Sequence, residues 1–162
     1  MQECRRPLAD RVEVSAPRLA AFAAQALARF PESIRRRVLR SAFNRARDAF
    51  NRGDLEVVFA LFAADVEYGP PPPLHGGGPL RGRRAVFDFW AGVFTHYDEN
   101  TIENISLDEV SSGSFVRRAR LCHRSSASGE SLGYVIVQAT DLKGGRVVRQ
   151  VNILDDPKAA GV

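Results

Sequence analysis

The side chains that could do chemistry in this 162-residue chain are few and widely spaced. Gln150 and Asn152 alternate within "VVRQVNIL", so on a strand they would share one face. Two amides on a buried face need hydrogen-bond partners or water, which predicts a wet cavity. Tyr68 closes the short stretch "DVEYG" and would face the same interior. His123 follows Cys122 in "RRARLCH"; if the histidine is the one that faces inward, it is a candidate acid or base.

Metal and cofactor chemistry has little support in the sequence. The three histidines are dispersed, and the two cysteines lie far apart without a CxxC motif, so we expect no metal and no disulfide framework. The loop "YGPPPPLHGGGPLRGRRAV" is rich in glycine, but Pro79 follows its glycines where a phosphate-binding loop would have lysine. Its His75 is either solvated or at the mouth of a pocket. We therefore expect no organic cofactor.

The first half of the chain is predicted to be helical. Residues 1–17 contain two prolines and no sustained period, which predicts a flexible arm, and residues 18–30 have the apolar face of one extra helix. Pro31 is placed to begin a longer helix, where its missing N–H costs nothing, and this helix should run to about Asn51. A short helix follows, capped by Asp54. The apolar face of the extra helix must pack on the domain or on a second copy.

The second half has the pattern of strands. A short strand ends at the proline-rich loop, an amphipathic helix follows over about 81–97, and four β-rich stretches then lie at about 101–111, 114–124, 131–141 and 146–154. Short turns between consecutive strands predict an antiparallel meander. Helices first and sheet second predict the α+β class.

Composition excludes some classes of function. No run approaches 18 apolar residues and no secretory signal is visible, so we expect no membrane association and a cytoplasmic protein. The first 52 residues hold twelve arginines against five acidic residues. No aromatic side chains interleave with these arginines, so we interpret them as a solvated helix face and not as a nucleic-acid site. Arginine in place of lysine is typical of a GC-rich, bacterial coding bias. A further alternative is a partner protein bound by the basic helix.

Three spaced blocks resemble one known family. "NRGDL" precedes a short helix, "DVEYGP" ends a short strand, and "RGRRAV" opens a helix. In this order they resemble the SnoaL-like group of the nuclear transport factor 2-like superfamily, over about residues 40–160. The resemblance implies a cone, in which a curved antiparallel sheet wraps around helices, with a SnoaL-like domain at 31–156 and a tail at 157–162. It also implies a pocket inside the cone and a homodimer packed through the sheet.

The resemblance further allows the family's catalytic positions to be compared. The base of the ketosteroid isomerases falls on Pro70, their oxyanion tyrosine on Ala46, and their protonated acid near Val137 or Gln138. The water-activating aspartate of the epoxide hydrolases falls on Asn152. None of these side chains can transfer a proton as those enzymes require, so neither chemistry is expected.

What remains is a pocket with few polar groups. By strand alternation, Val148 and Leu154 would join the amides on the inner face. We predict a protein that binds a small apolar ligand; the alternative is an enzyme of the polyketide cyclase, dehydratase or hydrolase kind acting on an apolar oxygenated substrate. The catalytic candidates are His123, Asn152 and Tyr68. The predicted lining residues are Tyr68, Pro70, His75, Trp90, Phe94, Gln150 and Asn152.

Overall fold

A computed structural model describes residues 6–26 and 29–155 of the chain. The predictions made for residues 1–5 of the arm, for residues 27–28 of the extra helix and for the tail at 157–162 lie outside this part. The described helices are α1 Leu8–Ser15, α2 Pro17–Ala26, α3 Glu32–Asn51, α4 Leu55–Val58 and α5 Arg83–His96. The strands are β1 Phe62–Gly69, β2 Leu80–Arg81, β3 Glu99–Ser111, β4 Ser114–Arg124, β5 Ser131–Lys143 and β6 Arg146–Leu154.

One six-stranded curved sheet, in the order β2-β1-β6-β5-β4-β3, forms one wall of the domain. Strands β3 to β6 form the predicted antiparallel meander. The sheet is nevertheless mixed, because β1 runs parallel to β6 and carries the two-residue β2 on its outer edge. The prediction of an α+β fold is confirmed, whereas the expectation of a wholly antiparallel sheet is wrong at β1. A parallel neighbour needs a long connection, and β1 and β6 are joined through α5 and the whole meander.

Strand β1 begins earlier than the sequence suggested. It starts at Phe62, and its pairing with β6 shifts between Phe62 and Glu67, which marks an irregularity in the strand. Because of that shift, the consecutive apolar residues at the start of β1 do not show the apolar–polar alternation of a strand. Their pattern was therefore interpreted as the end of the preceding helix. Helix α4 accordingly ends at Val58, with the Asp54 side chain accepting a hydrogen bond from the Val57 amide as its cap.

The hydrophobic core lies between the inner face of the sheet and helices α3, α4 and α5. Phe50 of α3 packs edge-to-face on Trp90 of α5, with ring centroids 5.1 Å apart. Val66 and Tyr68 of β1 are buried against them, and Tyr68 faces the interior as predicted. Burying one such large side chain contributes about 1.5–3 kcal/mol, so these contacts fix the position of α5 over the sheet.

The N-terminal extension contains a helix where the sequence predicted a flexible arm. Leu8–Ser15, which we expected to lack regular structure, form α1. Its Asp10 is buried and pairs with Arg52 at the end of α3. Just before α1, Arg6 bridges Asp54 at 2.7 Å and Glu56 at 2.6 Å. Charge pairing, which the apolar periodicity of the sequence could not show, therefore attaches the extension to the domain.

Helix α2 also contacts the β5–β6 turn. Gly145 has a φ of 74°, in the region that favours glycine. A Cβ added there would lie against the backbone oxygen of Ala21, well inside contact distance. Ala21 is itself buried. The backbone of α2 therefore rests directly on the turn, a close approach that needs glycine.

Candidate functional site

A cavity of about 650 Å³ lies between the helices and the inner face of the sheet. Helix α2 closes part of it, so the N-terminal extension contributes to its wall. The helical side, which we call the roof, is mostly apolar. It includes Ala20, Ala23, Val38, Leu39, Ala42, Phe43, Ala46, Phe50, Val57 and Val58.

The sheet side of the cavity, which we call the floor, carries two adjacent rows of polar residues. In one row Arg117 of β4, Gln138 of β5 and Asn152 of β6 are register partners. In the next row Thr140 of β5 pairs with Gln150 of β6, which in turn pairs with Tyr68 of β1. All six side chains line the cavity: Tyr68, Arg117, Gln138, Thr140, Gln150 and Asn152.

Asn152 is held firmly at the centre of the floor. Its Oδ1 accepts a hydrogen bond of 2.8 Å from Gln138 Nε2, and its Nδ2 donates one of 2.7 Å to the Gly69 carbonyl. The amide thus bridges the end of β1 to β5 across its own strand. The predicted placement of Asn152 and Gln150 together on a buried face is what the structure shows.

Tyr68 presents a neutral phenol to the cavity. Trp90 Nε1 donates a hydrogen bond of 2.9 Å to its oxygen. Burial raises the pKa of Tyr68 above its usual range, more than the hydrogen bonds from Trp90 and Asn152 lower it. Among residues 6–26 and 29–155 no acceptor for the Tyr68 proton is found, so this proton is available to a ligand.

Arg117 is the feature of the site that the sequence reasoning missed. Its side chain is buried, Nη1 donates to Asn104 Oδ1 at 3.1 Å, and its guanidinium carbon lies 5.5 Å from the centroid of the Phe43 ring. Its Nε has no partner within the described chain. Burial lowers the pKa of Arg117 to about 10, so it stays charged at neutral pH. The signal was strand alternation: Phe115, Arg117 and Ala119 share the inner face.

His123 does face inward, and Cys122 outward, but the histidine does not line the cavity. Asn100 donates through its Nδ2 to the Tyr97 carbonyl, so its Oδ1 accepts from His123 Nδ1–H at 2.7 Å. His123 Nε2 then accepts from the Tyr134 hydroxyl at 2.9 Å. Burial lowers the pKa of His123 to about 4. Both ring nitrogens are occupied, so the geometry gives no support to His123 as an acid or base.

The structure brings together four of the seven predicted lining residues, namely Tyr68, Trp90, Gln150 and Asn152. The other three lie outside the lining. Pro70 is buried, but its neighbour Pro71 lines the cavity instead.

The remaining two pack elsewhere on the helices. His75 packs on the ring of Phe89 at 5.7 Å, on the outside of α5. Phe94 packs edge-to-face on Phe50 at 5.1 Å, between helices. Both were assigned to the pocket because the loop and the helix face were taken as single surfaces, whereas each presents different residues to different neighbours.

Strand alternation predicted the wrong residue near the start of β6. The pairing of β5 with β6 shifts between Asp141 and Leu142, so Leu142 faces Val147. This irregularity turns Val147 inward to the cavity in place of Val148. Leu154, also expected inside, is partly buried against the core but does not line the cavity.

The carboxylates that related enzymes use are absent from the floor. Within the described part of the chain, the sole acidic residue lining the cavity is Glu109, which pairs with Arg35 at 3.1 Å. The compared catalytic positions Ala46, Gln138 and Asn152 do line the cavity. The site can therefore donate and accept hydrogen bonds and stabilise negative charge, but it offers no unpaired carboxylate base.

Metal ligation finds no support in residues 6–26 and 29–155, where no three His, Cys, Asp or Glu side chains are grouped to hold an ion. No helix in the described part of the chain has the length and apolar character needed to cross a membrane.

Comparison with known families agrees with this geometry. The model of the SnoaL-like domain matches residues 43–150, more than half of the chain. The chain belongs to the SnoaL-like family. No curated protein is similar enough to this SnoaL-like protein to count as a match. The family segment begins within α3, so α1 and α2, which cover the cavity, lie outside it.

Solved structures share the fold. An NTF2-like protein of unknown function from Burkholderia pseudomallei is 26% identical, with a TM-score of 0.61 over 71% of this chain and 88% of its own. A Xanthomonas campestris protein provisionally named a polyketide cyclase is 17% identical, with a TM-score of 0.62 over 74% and 92%. TerC, co-crystallised with polyporic acid, is 21% identical, with a TM-score of 0.59 over 71% and 89%. The nuclear transport factor 2-like fold is thus confirmed.

Proposed function

We propose that this SnoaL-like protein binds a small, largely apolar, oxygenated molecule in the cavity. The observation that carries the proposal is the division of the cavity into an apolar roof and a polar floor. Its volume of about 650 Å³ lies within the range typical of small-molecule sites. A ring system would pack against the roof while its oxygen atoms contact the floor.

Unused hydrogen-bonding capacity on the floor supports this proposal. The Thr140 hydroxyl is buried and has no partner among the described residues. A buried polar group without a partner costs about 1–3 kcal/mol, which a ligand or water would recover. The co-crystallisation of TerC with polyporic acid gives an example of an oxygenated small molecule in a protein of this fold.

The proposal is tested by filling the cavity. Ala46→Phe adds a ring to the roof, whereas Ser41→Phe adds the same ring on an exposed face of the same helix. The neutral dye N-phenyl-1-naphthylamine should gain fluorescence with the wild type and with Ser41→Phe, but not with Ala46→Phe. Equal binding by the two variants would show that the dye binds elsewhere and would contradict the proposal.

A second candidate function is an enzyme of the polyketide cyclase or dehydratase kind. The observation that favours it is the Tyr68 hydroxyl, whose proton is free to hydrogen-bond a ligand carbonyl oxygen and to stabilise the negative charge that develops on it during attack by a carbon of the same ligand. The cyclase name of the Xanthomonas protein is consistent with this. Incubation with linear poly-β-ketone analogues should then give cyclised product with the wild type and much less with Tyr68→Phe. Unchanged turnover in the variant would exclude this role of Tyr68.

The homodimer also stays a proposal. Ile153 is 55% exposed on the outer face of β6, and Val137 beside it on β5 is partly exposed. A second copy packed on this face would cover them. Ile153→Asp should convert the dimer into a monomer in sedimentation velocity; a wild type that sediments as a monomer would contradict the proposal. We further propose that the protein acts in the cytoplasm.

A further inference from the structure

Arg117 is a buried cation that has no anionic partner among the residues that the structure describes. The ion pairs of the described chain do not include it, and its hydrogen-bond partner Asn104 is neutral. Its neighbour Arg118 points outward and pairs with Asp155. Arg120, the next arginine of β4, also points outward and pairs with Glu103 at 3.2 Å.

Burying an unpaired charge is expensive, and proteins normally pair such charges. The Phe43 ring offsets part of this cost, since a cation over an aromatic face is stabilised by the negative charge of the ring face. That contact leaves Nε without an acceptor. Arg117 is therefore costly to keep charged and faces the cavity. Such a side chain is suited to bind an anionic group of a ligand.

The residues around Arg117 also favour the binding of a negatively charged group. Of the described residues that line the cavity, Glu109 is the one carboxylate, and it already pairs with Arg35, so this part of the chain offers Arg117 no carboxylate. The free proton of Tyr68 and the unpartnered hydroxyl of Thr140 are further donors on the floor. Donors around a cation match a carboxylate or an acidic enol or phenol oxygen.

Resting on the proposed function, we infer that the ligand is an organic anion. Its carboxylate or acidic enol oxygen binds Arg117 on the floor, and its ring system packs against the apolar roof.

The test uses two probes of the same shape and different charge. Anthracene-9-carboxylate carries the anion, and 9-anthracenemethanol is its neutral counterpart. Fluorescence titration measures both against the wild type, Arg117→Met and Arg120→Met. Arg120→Met is the matched control, because it removes one positive charge from the same strand on the exposed face.

The wild type and Arg120→Met should bind the carboxylate about ten-fold or more tightly than the alcohol, since a hydrogen bond to a charged group is worth more than one tenfold step in affinity. Arg117→Met should lose this preference while keeping its affinity for the alcohol. Equal binding of both probes by the wild type, or a preference that survives in Arg117→Met, would overturn the inference and leave the proposed function standing. If the wild type bound neither probe and also failed to bind the neutral dye, the proposed function itself would fall.

Discussion

Trp90 Nε1 donates a hydrogen bond of 2.9 Å to the hydroxyl oxygen of Tyr68, and both side chains are buried. This bond joins α5 to β1 at the edge of the cavity. It orients the phenol so that its oxygen accepts from the protein while its proton remains for a ligand. The contact therefore has a structural and a functional consequence, which can be separated.

The structural consequence predicts the effect of Tyr68→Phe. The substitution leaves the buried Trp90 N–H without an acceptor, which should lower the free energy of unfolding by roughly 1–3 kcal/mol. Urea denaturation measures this. Tyr97→Phe is the control, because the Tyr97 hydroxyl bonds the exposed Glu130 at 2.8 Å, so its loss should lower the free energy of unfolding less than Tyr68→Phe does. Equal losses in the two variants would contradict the role given to the Trp90–Tyr68 bond.

Alkaline titration should show abnormal tyrosines. Burial raises the pKa of Tyr68 and of Tyr134, and the hydrogen bond to Glu130, followed by burial, raises that of Tyr97. These are all three tyrosines of the chain. The folded protein should therefore show little tyrosinate absorbance near 295 nm at pH 10, where unfolded protein shows about half. Because folding favours the protonated form, stability is present below pH 10 and is lost as the pH rises further. A normal titration midpoint would contradict the burial of these groups.

The fold could be predicted from sequence largely because its signals are local. Periodicity located α3, α5 and the meander, and the short turns between consecutive strands marked the strand ends. The parallel pairing of β1 with β6 could not be predicted in this way, since it joins residues far apart in the chain. Nor could the attachment of α1, which depends on the ion pair between Asp10 and Arg52.

The candidate site was predicted less completely, for a different reason. Alternation correctly placed Gln150 and Asn152, because β6 is regular there. It failed at Val148, where an irregular pairing reverses the alternation. Arg117 was overlooked because charged residues are expected on the surface, so within "RRARLCH" we considered His123 and not the arginines as a candidate for the inner face. Arg117, the charged residue on the inner face of β4, was therefore the main feature of the candidate site that the sequence did not predict.

His123 should remain neutral well below its usual pH range. Burial lowers its pKa to about 4 in the folded protein. The His123 imidazole resonance is assigned as the one that is missing from the spectrum of His123→Gln. In an NMR titration of the wild type, this resonance should stay unchanged down to about pH 5. In the unfolded state the same imidazole takes up a proton near pH 6.5. The neutral, buried His123 therefore contributes to the free energy of unfolding above pH 6.5, and roughly 3 kcal/mol of this contribution is lost as the pH falls to about 4. A midpoint near pH 6.5 for this resonance would show that the ring is not buried between Asn100 and Tyr134.

The cover formed by α2 can be tested with a pair of adjacent glycines. Gly144 and Gly145 both have positive φ, of 58° and 74°, so alanine is strained at either. A Cβ on Gly144 meets nothing, whereas one on Gly145 collides with the Ala21 backbone of α2. Gly145→Ala should therefore displace α2, and hydrogen exchange of residues 17–26 should accelerate, with weaker dye binding in the cavity. Gly144→Ala should share the strain without either effect; if it showed the same acceleration, strain in the turn and not contact with α2 would be the cause.

Replacing Arg117 should separate stability from binding. Arg117→Met removes a buried charge that no carboxylate in the described part of the chain compensates, together with one hydrogen bond to Asn104 and the contact with Phe43. Replacing a buried charge by an apolar side chain of similar size is often neutral or stabilising. We therefore expect the free energy of unfolding without ligand to be unchanged or higher by about 1 kcal/mol, measured by urea denaturation. A residue retained at a cost to stability is typical of a binding site.

The comparison with Arg120→Met makes this prediction specific. Arg120 is exposed and pairs with Glu103 of the neighbouring strand β3, so its loss should change stability by less than about 0.5 kcal/mol. Anthracene-9-carboxylate should raise the melting temperature of the wild type and of Arg120→Met, because a ligand that binds the folded state alone stabilises it. It should not raise that of Arg117→Met. A loss of more than about 2 kcal/mol in Arg117→Met without ligand would show that Arg117 serves to hold β4 to α3 through Phe43 and to β3 through Asn104, and does not serve to bind an anion.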